Sequence, residues 1–354
     1  MKTIHRSILK ELALTFLVSL VSLNFFLLME KVLRLSRLLS NVGASVVDMA
    51  RIITLIQPQL MLLTVPMSLL LATLLTYGRM NADSELTALK SAGMSFRNLS
   101  VPVFLLGAGC LLTGLLMSFS ISPRSSLELR RLVTTIIMQR APLAIEAGVF
   151  NASFRDVVIL VREKPAPDRL LGVFIYDNRN RKEPKVLTAK EGRIYADGGN
   201  LSFYLKDGYA HIGKTDGSIE IFFRGYNLTL NLTAEGVSRK NSELTPFELL
   251  READGREGQE RTSLFLEFHR RLSLPFLCIF LVFLGPPLAL LAGKSGRLGG
   301  LTVGLGIFAL FYTLLIYMEN LARSGNIPHY FGAWIPGVLL GLFSLWSFRK
   351  AGSR

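Results

Sequence analysis

The residues whose types and spacing could do chemistry are charged ones just behind the first apolar run: Glu30, Lys31, Arg34 and Arg37. That chemistry is anion binding rather than catalysis. On a helix, Lys31 and Arg34 stand at i and i+3 and share a side, while Glu30 and Arg34 stand at i and i+4 and can pair with each other. Two readings stay open from spacing alone. The cations snorkel to a membrane interface, or they clamp a phosphorylated headgroup at the outer leaflet.

A second cluster lies in the segment 78–95, between the second and third apolar runs. It reads Gly78-Arg-Met-Asn-Ala-Asp-Ser-Glu-Leu-Thr-Ala-Leu-Lys-Ser-Ala-Gly-Met-Ser95. Asp83 or Ser84 can cap a helix over 84–93 whose C′ residue is Gly93. Leu86, Leu89 and Lys90 then share one face. So short a helix is not stable alone and must dock. It is either an amphipathic loop helix resting on the membrane or a coupling helix seated in a groove of a cytoplasmic motor, to which Glu85 offers a carboxylate.

Covalent chemistry finds no support. Gly293-Lys294-Ser295 looks like the tail of a phosphate-binding loop, but Leu288 stands where the first glycine is required, so the chain encodes no nucleotide site. Cys110 and Cys278 both sit inside apolar runs and read as packing residues, with neither a disulfide framework nor metal-ligand company. His211 stands alone, and among histidines and carboxylates the apolar runs offer only His329, near an edge. No metal site and no cofactor is expected in this chain. The net charge of +14 is spread over many loops without an aromatic-interleaved basic stripe, which argues against nucleic acid and for a membrane-bound, partly anionic ligand.

Six uncharged runs must position these groups: Leu12–Met29, Ile52–Tyr77, Asn98–Pro123, Leu272–Gly293, Leu298–Met318 and Ser324–Phe348. Each is long enough to cross a hydrocarbon core of roughly 30 Å, and none shows the polar stripe of a soluble helix. The first reads as a retained span, since Glu30, Lys31 and Arg34 follow where a cleavage site needs small residues. Lys2, Arg6, Lys10, Arg79, Lys90, Arg97, Lys294, Arg297, Arg349, Lys350 and Arg354 outnumber Lys31, Arg34, Arg37, Arg51 and Arg323 on the opposite short loops. Both termini are therefore expected in the cytoplasm, with residues 124–271 outside.

That outside block changes texture. Val157–Val161, Leu171–Tyr176, Lys185–Thr188, Gly192–Tyr195, Leu201–Leu205, Ala210–Gly213, Ile219–Phe223 and Tyr226–Leu230 read as short antiparallel strands. Turn signals at Asp177-Asn178, Asp197-Gly198-Gly199, Asp207-Gly208 and Asp216-Gly217 separate them. A sandwich, jelly roll or open barrel fits. Thr245-Pro246-Phe247-Glu248 predicts a capped helix start. The expected fold is an α-helical membrane protein with six transmembrane helices and an inserted all-β domain. The parts are residues 1–123, 124–265 and 266–354.

This layout resembles the LptF/LptG family of lipopolysaccharide export permeases, more closely its LptF branch. The resemblance spans the whole chain. It rests on Glu30-Lys-Val-Leu-Arg34, on Pro66-Met-Ser-Leu-Leu-Leu followed by the 78–95 segment, on Glu267-Phe-His-Arg270, Pro287-Leu and Gly296-Arg297, and on Pro328 to Trp334. Gly285-Pro286-Pro287 departs from the single proline expected there. The resemblance implies a periplasmic β-jelly roll and a multi-pass protein of the bacterial inner membrane. It implies a permease subunit of an ABC transporter, not an enzyme, with ATP and Mg held by a separate ATPase. It also implies an LptG-like second permease, an LptB-like ATPase dimer, an LptC-like jelly-roll protein and lipopolysaccharide as partners. Lys31, Arg34 and Arg37 would meet the lipid, and Asp83, Ser84, Glu85, Leu86, Leu89 and Gly93 would couple to the ATPase. The competing expectation is a membrane-anchored receptor or scaffold whose β-domain binds a periplasmic partner without transport.

Overall fold

The computed structural model describes residues 2–39, 45–144, 147–154, 156–166, 168–180, 183–197, 200–214, 217–231, 239–291 and 296–352. The chain divides into two compact units. Met1–Lys31, Ile53–Glu128 and Arg239–Arg354 form one, and Val32–Ile52 with Leu129–Ser238 the other.

The helices are α1 (Lys2–Leu39), α2 (Val46–Ala82), α3 (Glu85–Ser91), α4 (Phe96–Leu116), α5 (Ser122–Ala144), α6 (Pro246–Asp254), α7 (Gly258–Leu291), α8 (Gly296–Arg323) and α9 (His329–Gly352), and all but α3 and α6 follow the apolar runs. Among the described residues, six segments are long and apolar enough to cross a membrane: Thr3–Leu33, Val46–Ala82, Phe96–Ile136, Gly258–Leu290, Gly299–Arg323 and His329–Gly352. The chain is a multi-pass membrane protein. Its helices extend past the apolar stretches because long basic side chains carry their charge to the interface while the backbone stays hydrogen-bonded.

α2 and α7 are the centre of the first unit. Their most apolar windows are 78% and 72% buried, against 17% for those of α1 and α8. Leu69, Leu70, Leu74 and Tyr77 of α2 pack in one core with Leu277, Cys278, Leu281 and Leu284 of α7. Lipid gives these helices no hydrophobic reason to associate, so small residues must let them approach. A Cβ on Gly341 of α9 would lie 2.7 Å from the Phe280 ring of α7. One on Gly304 of α8 would lie 2.8 Å from Leu71 of α2.

Proline creates one specific joint. Pro275 lies inside α7, so the carbonyl of Arg271 one turn earlier has no backbone donor. Between α4 and α5 the helix widens into a π-turn over Met117–Ile121, and there the buried Ser118 hydroxyl donates to that carbonyl at 2.8 Å. Gly114 makes room, since a Cβ there would stand 3.2 Å from Pro275.

The second unit carries one antiparallel sheet, β1 (Phe150–Phe154), β2 (Val157–Ala166), β3 (Arg169–Asp177), β4 (Lys185–Asp197), β5 (Asn200–Lys214) and β6 (Gly217–Asn231), paired in chain order. The eight short strands read from the sequence thus merge into longer ones, and β1 joins them. Asp207-Gly208 is not a hairpin turn but lies inside β5. Paired rows Glu163–Leu171–Glu191–Lys206–Gly225 and Val161–Val173–Ala189–Gly208–Phe223 flank Arg162, Gly172, Lys190, Asp207 and Arg224, where the ladder lapses on five adjacent strands. Gly172 and Asp207 take positive φ, 61° and 51°. Along this crease the inward side switches: Leu170 before it and Val173 and Ile175 after it on β3, Phe203 and Leu205 before it and Ala210 after it on β5. Both halves therefore fill a single core. A strand that bends sharply needs a residue tolerant of positive φ, which glycine and aspartate supply.

Ser118→Ala should leave the buried Arg271 carbonyl without a donor. The expected loss is about 1–3 kcal/mol of stability, read as a lower unfolding temperature of the full chain in detergent, with Ser118→Thr close to wild type.

Candidate functional site

Charges in the first unit gather at two levels. Glu11 and Lys31 on α1 are separated by about 30 Å at 1.5 Å rise per residue, and each belongs to a different cluster.

At the Lys31 level, a cavity of about 180 Å³ is lined by Lys31 of α1, Gln59 of α2, Ser122 of α5, Glu267, Arg270 and Arg271 of α7 and Tyr312 of α8, with Leu60, Leu63 and Leu274 on its apolar side. That volume holds about six waters at liquid density, which suits a phosphate-sized headgroup rather than a whole lipid. Glu267, Arg270 and Arg271 stand at i, i+3 and i+4, so one helical face carries all three. Arg271 is buried. It donates to the carbonyls of Leu244 and, at 2.9 Å, Asn241, and to Glu267 at 3.3 Å, tying the chain ahead of α6 to α7. α6 is in place because Thr245 and Glu248 form the reciprocal cap expected, with Glu248 accepting from the Thr245 N–H at 2.8 Å. Arg270 differs. Its nearest carboxylate oxygens, on Glu267 and Glu319, are each 3.6 Å away. Glu319 of α8 is 9% exposed, and its second oxygen lies 3.8 Å from Arg323.

Lys31 thus lines this cavity together with Arg270 and Arg271. The side chains of Arg34 and Arg37 lie outside the described residues. Arg270 and Glu319 were not read as site residues from the sequence, because each looks like an edge charge of its own apolar run. The available signal was the i, i+3, i+4 spacing of Glu267, Arg270 and Arg271 at the mouth of α7.

At the other level, Arg79 at the end of α2 joins three elements. Its guanidinium donates to both Glu11 carboxylate oxygens at 2.8 and 2.7 Å, to Asp83 at 3.1 Å and to Glu85 at 2.9 Å. α3 is shorter than the 84–93 helix expected and starts differently. Ser84 takes a left-handed φ of 58° and its side chain caps nothing, while Asp83 turns back to Arg79. The close is as read: Gly93 at φ 87°, its N–H on Lys90 O and the Met94 N–H on Leu89 O, a Schellman motif. Leu86 is buried, and Leu89 packs against the same core. The shared apolar face therefore points inward and holds α3 down. What α3 presents outward is Asp83, Ser84, Thr87, Ala88 and Ser91. Glu85 is half-buried on Arg79 rather than projecting freely.

In the second unit, a groove of about 1010 Å³ follows the crease. It interleaves Arg162, Lys190 and Arg224 with Glu163 and Asp207. At the end of β3, Asp177 accepts from Arg179 at 2.9 and 2.7 Å. Burial alone pushes this carboxyl up, but the hydrogen bonds and charge of Arg179 outweigh it and hold Asp177 below the usual carboxylate range.

Arg271→Met should cost about 3–5 kcal/mol, because it removes the close cation from Glu267 and the donors from the buried Leu244 carbonyl and the half-buried Asn241 carbonyl. Arg270→Met should cost far less, since it breaks only longer contacts. Thermal unfolding of the two variants in detergent checks the contrast, and equal losses would contradict it.

Comparison with known proteins gives two matches. An uncharacterized protein of Rickettsia prowazekii (strain Madrid E) is 22% identical over 315 residues, covering 86% of this chain and 87% of that protein. The family model for the lipopolysaccharide export system permease LptF/LptG matches residues 6–350, without separating the two branches. Because that match runs over nearly the whole chain, the chain belongs to the LptF/LptG family of lipopolysaccharide export system permeases.

Proposed function

We propose that this chain is one permease subunit of an ABC-type exporter, drawing lipopolysaccharide from the outer leaflet of the bacterial inner membrane and passing it to a periplasmic bridge. The observation that carries the reading is the cavity where Lys31, Arg270 and Arg271 converge beside leucines, in a chain of this family. Lipopolysaccharide presents anionic sugar phosphates above acyl chains, and a basic pocket opening among apolar helices matches that chemistry. Lys31, Arg34 and Arg37 supply the basic rim.

The chain has no nucleotide-binding loop, so ATP hydrolysis is assigned to a separate LptB-like dimer. The exposed side of α3 is its docking surface. Arg79 binds α3 to α1 and α2 through charge-assisted hydrogen bonds, so a push on α3 moves both spans together. α1 and α8 expose broad apolar faces, including Val21, Phe25 and Phe26 on one and Leu310 and Ile316 on the other. An LptG-like second permease covers part of that surface. In the β-domain, β1 and β6 are paired on one side only among the described residues, which leaves an edge for an LptC-like jelly roll by strand addition. Both termini and α3 lie in the cytoplasm, and the β-domain in the periplasm.

Two measurements test this. A photocrosslinker at position 31 should capture lipopolysaccharide in cells; no adduct, together with wild-type transport by Lys31→Glu, would make Lys31 an interfacial cation. Ala88→Trp places a bulky ring on the exposed side of α3 without touching Arg79. It should reduce ATPase co-purification about tenfold, or 1.4 kcal/mol, at unchanged thermal stability. Full co-purification would remove α3 from the docking surface.

A further inference from the structure

Arg270 and Arg271 are adjacent in one helix turn, the first half-buried and the second buried, and they are used in opposite ways. A guanidinium offers five donors in a fixed fork. Arg271 uses its fork on Leu244, Asn241 and Glu267. Arg270 has no hydrogen bond among the described residues; Glu267 and Glu319 each hold it only at 3.6 Å. The reciprocal deficit lies on Glu319, whose Oε1 is buried and has no hydrogen-bond partner among the described residues. A cation and an anion at the ends of two adjoining spans, each under-satisfied and facing each other across a gap too long for a hydrogen bond, are costly to keep unless the gap closes in another state. Arg270 also lines the cavity that Lys31 enters, so the missing acceptor has a place to arrive.

We infer that Arg270 is the anion-receiving group of this cavity and that Glu319 is its resident counter-ion, displaced by the incoming anion and re-seated as the anion leaves. The inference rests on the reading of the cavity as a phosphorylated-lipid site. When the cavity is empty, Glu319 and Glu267 balance Arg270 at long range and keep its charge from being fully uncompensated. A phosphate then binds the fork at about 2.7–2.9 Å and outcompetes them. Glu319 is left with Arg323 at 3.8 Å as its remaining cation, so it opposes the bound anion and limits its residence. Arg271 cannot take this role, because recruiting it would break the bonds that hold α6 to α7.

The test is lipopolysaccharide binding to the full chain purified in detergent, read as affinity and dissociation rate. Glu319→Gln should bind about tenfold more tightly, with the gain in slower dissociation, and Arg270→Gln in the same chain should abolish the gain. Glu319→Asp, which draws the carboxylate back from Arg270, should move in the same direction by less and serves if Glu319→Gln does not fold. A folded Glu319 variant with unchanged or weaker binding overturns the counter-ion role. So does a gain that survives Arg270→Gln. Lys31→Gln separates the two levels of argument. If it weakens binding while the Glu319 variants do nothing, the cavity stands and the counter-ion fails. If it too is silent, the cavity is not the lipid site.

Discussion

A charge inside a bilayer must find a partner there, and that constraint organises this molecule. Between its two charged levels the spans are apolar and are held together by glycines and leucines, which fix distance but not chemistry. Two arginine-centred clusters on opposite sides of that apolar stretch add ion pairs between elements. Arg79 gathers Glu11, Asp83 and Glu85 and makes α1, α2 and α3 one mechanical piece. Arg271 fastens α7 to the segment before α6, and its own carbonyl is completed by Ser118 across the π-turn. The neighbouring Arg270 is left with its fork unfilled beside a cavity. A permease needs both behaviours, joints that do not give way and one group free to change partner.

The β-unit answers a different constraint. A six-stranded sheet with one apolar face needs something to cover it. Here the sheet covers itself by creasing along Gly172, Lys190, Asp207 and Arg224, so its two halves share Phe203, Leu205, Val173 and Ile175 in one core. The consecutive hairpin order makes this possible, because the successive strands β2 to β6 cross the same line. It also leaves the first and last strands paired on one side only among the described residues.

Much of this was legible in the sequence. The six spans, the capped helix at Thr245 and the helix close at Gly93 all follow from local pattern, and local pattern is what single-residue preferences encode. Asp207-Gly208 was misread because the same dipeptide that turns a hairpin also bends a continuous strand, and only the neighbouring strands decide between them. Asp83 or Ser84 was expected to cap α3, but Asp83 pairs back to Arg79 and Ser84 takes a left-handed bend with no side-chain cap. Arg270 and Glu319 were invisible as a pair for a plainer reason. They sit on α7 and α8, and no local rule joins an arginine at the start of one span to a glutamate near the end of the next.

The central claim is that the cavity beside Lys31 and Arg270 receives the phosphorylated headgroup. A cryo-electron microscopy structure of the assembled exporter with lipopolysaccharide bound tests it most directly. The account predicts a headgroup phosphate within hydrogen-bond distance of Arg270 and close to Lys31, with Glu319 moved off Arg270 and Arg271 still on Leu244 and Asn241. Lipid density elsewhere in the membrane domain, with Arg270 still held between Glu267 and Glu319, would contradict it.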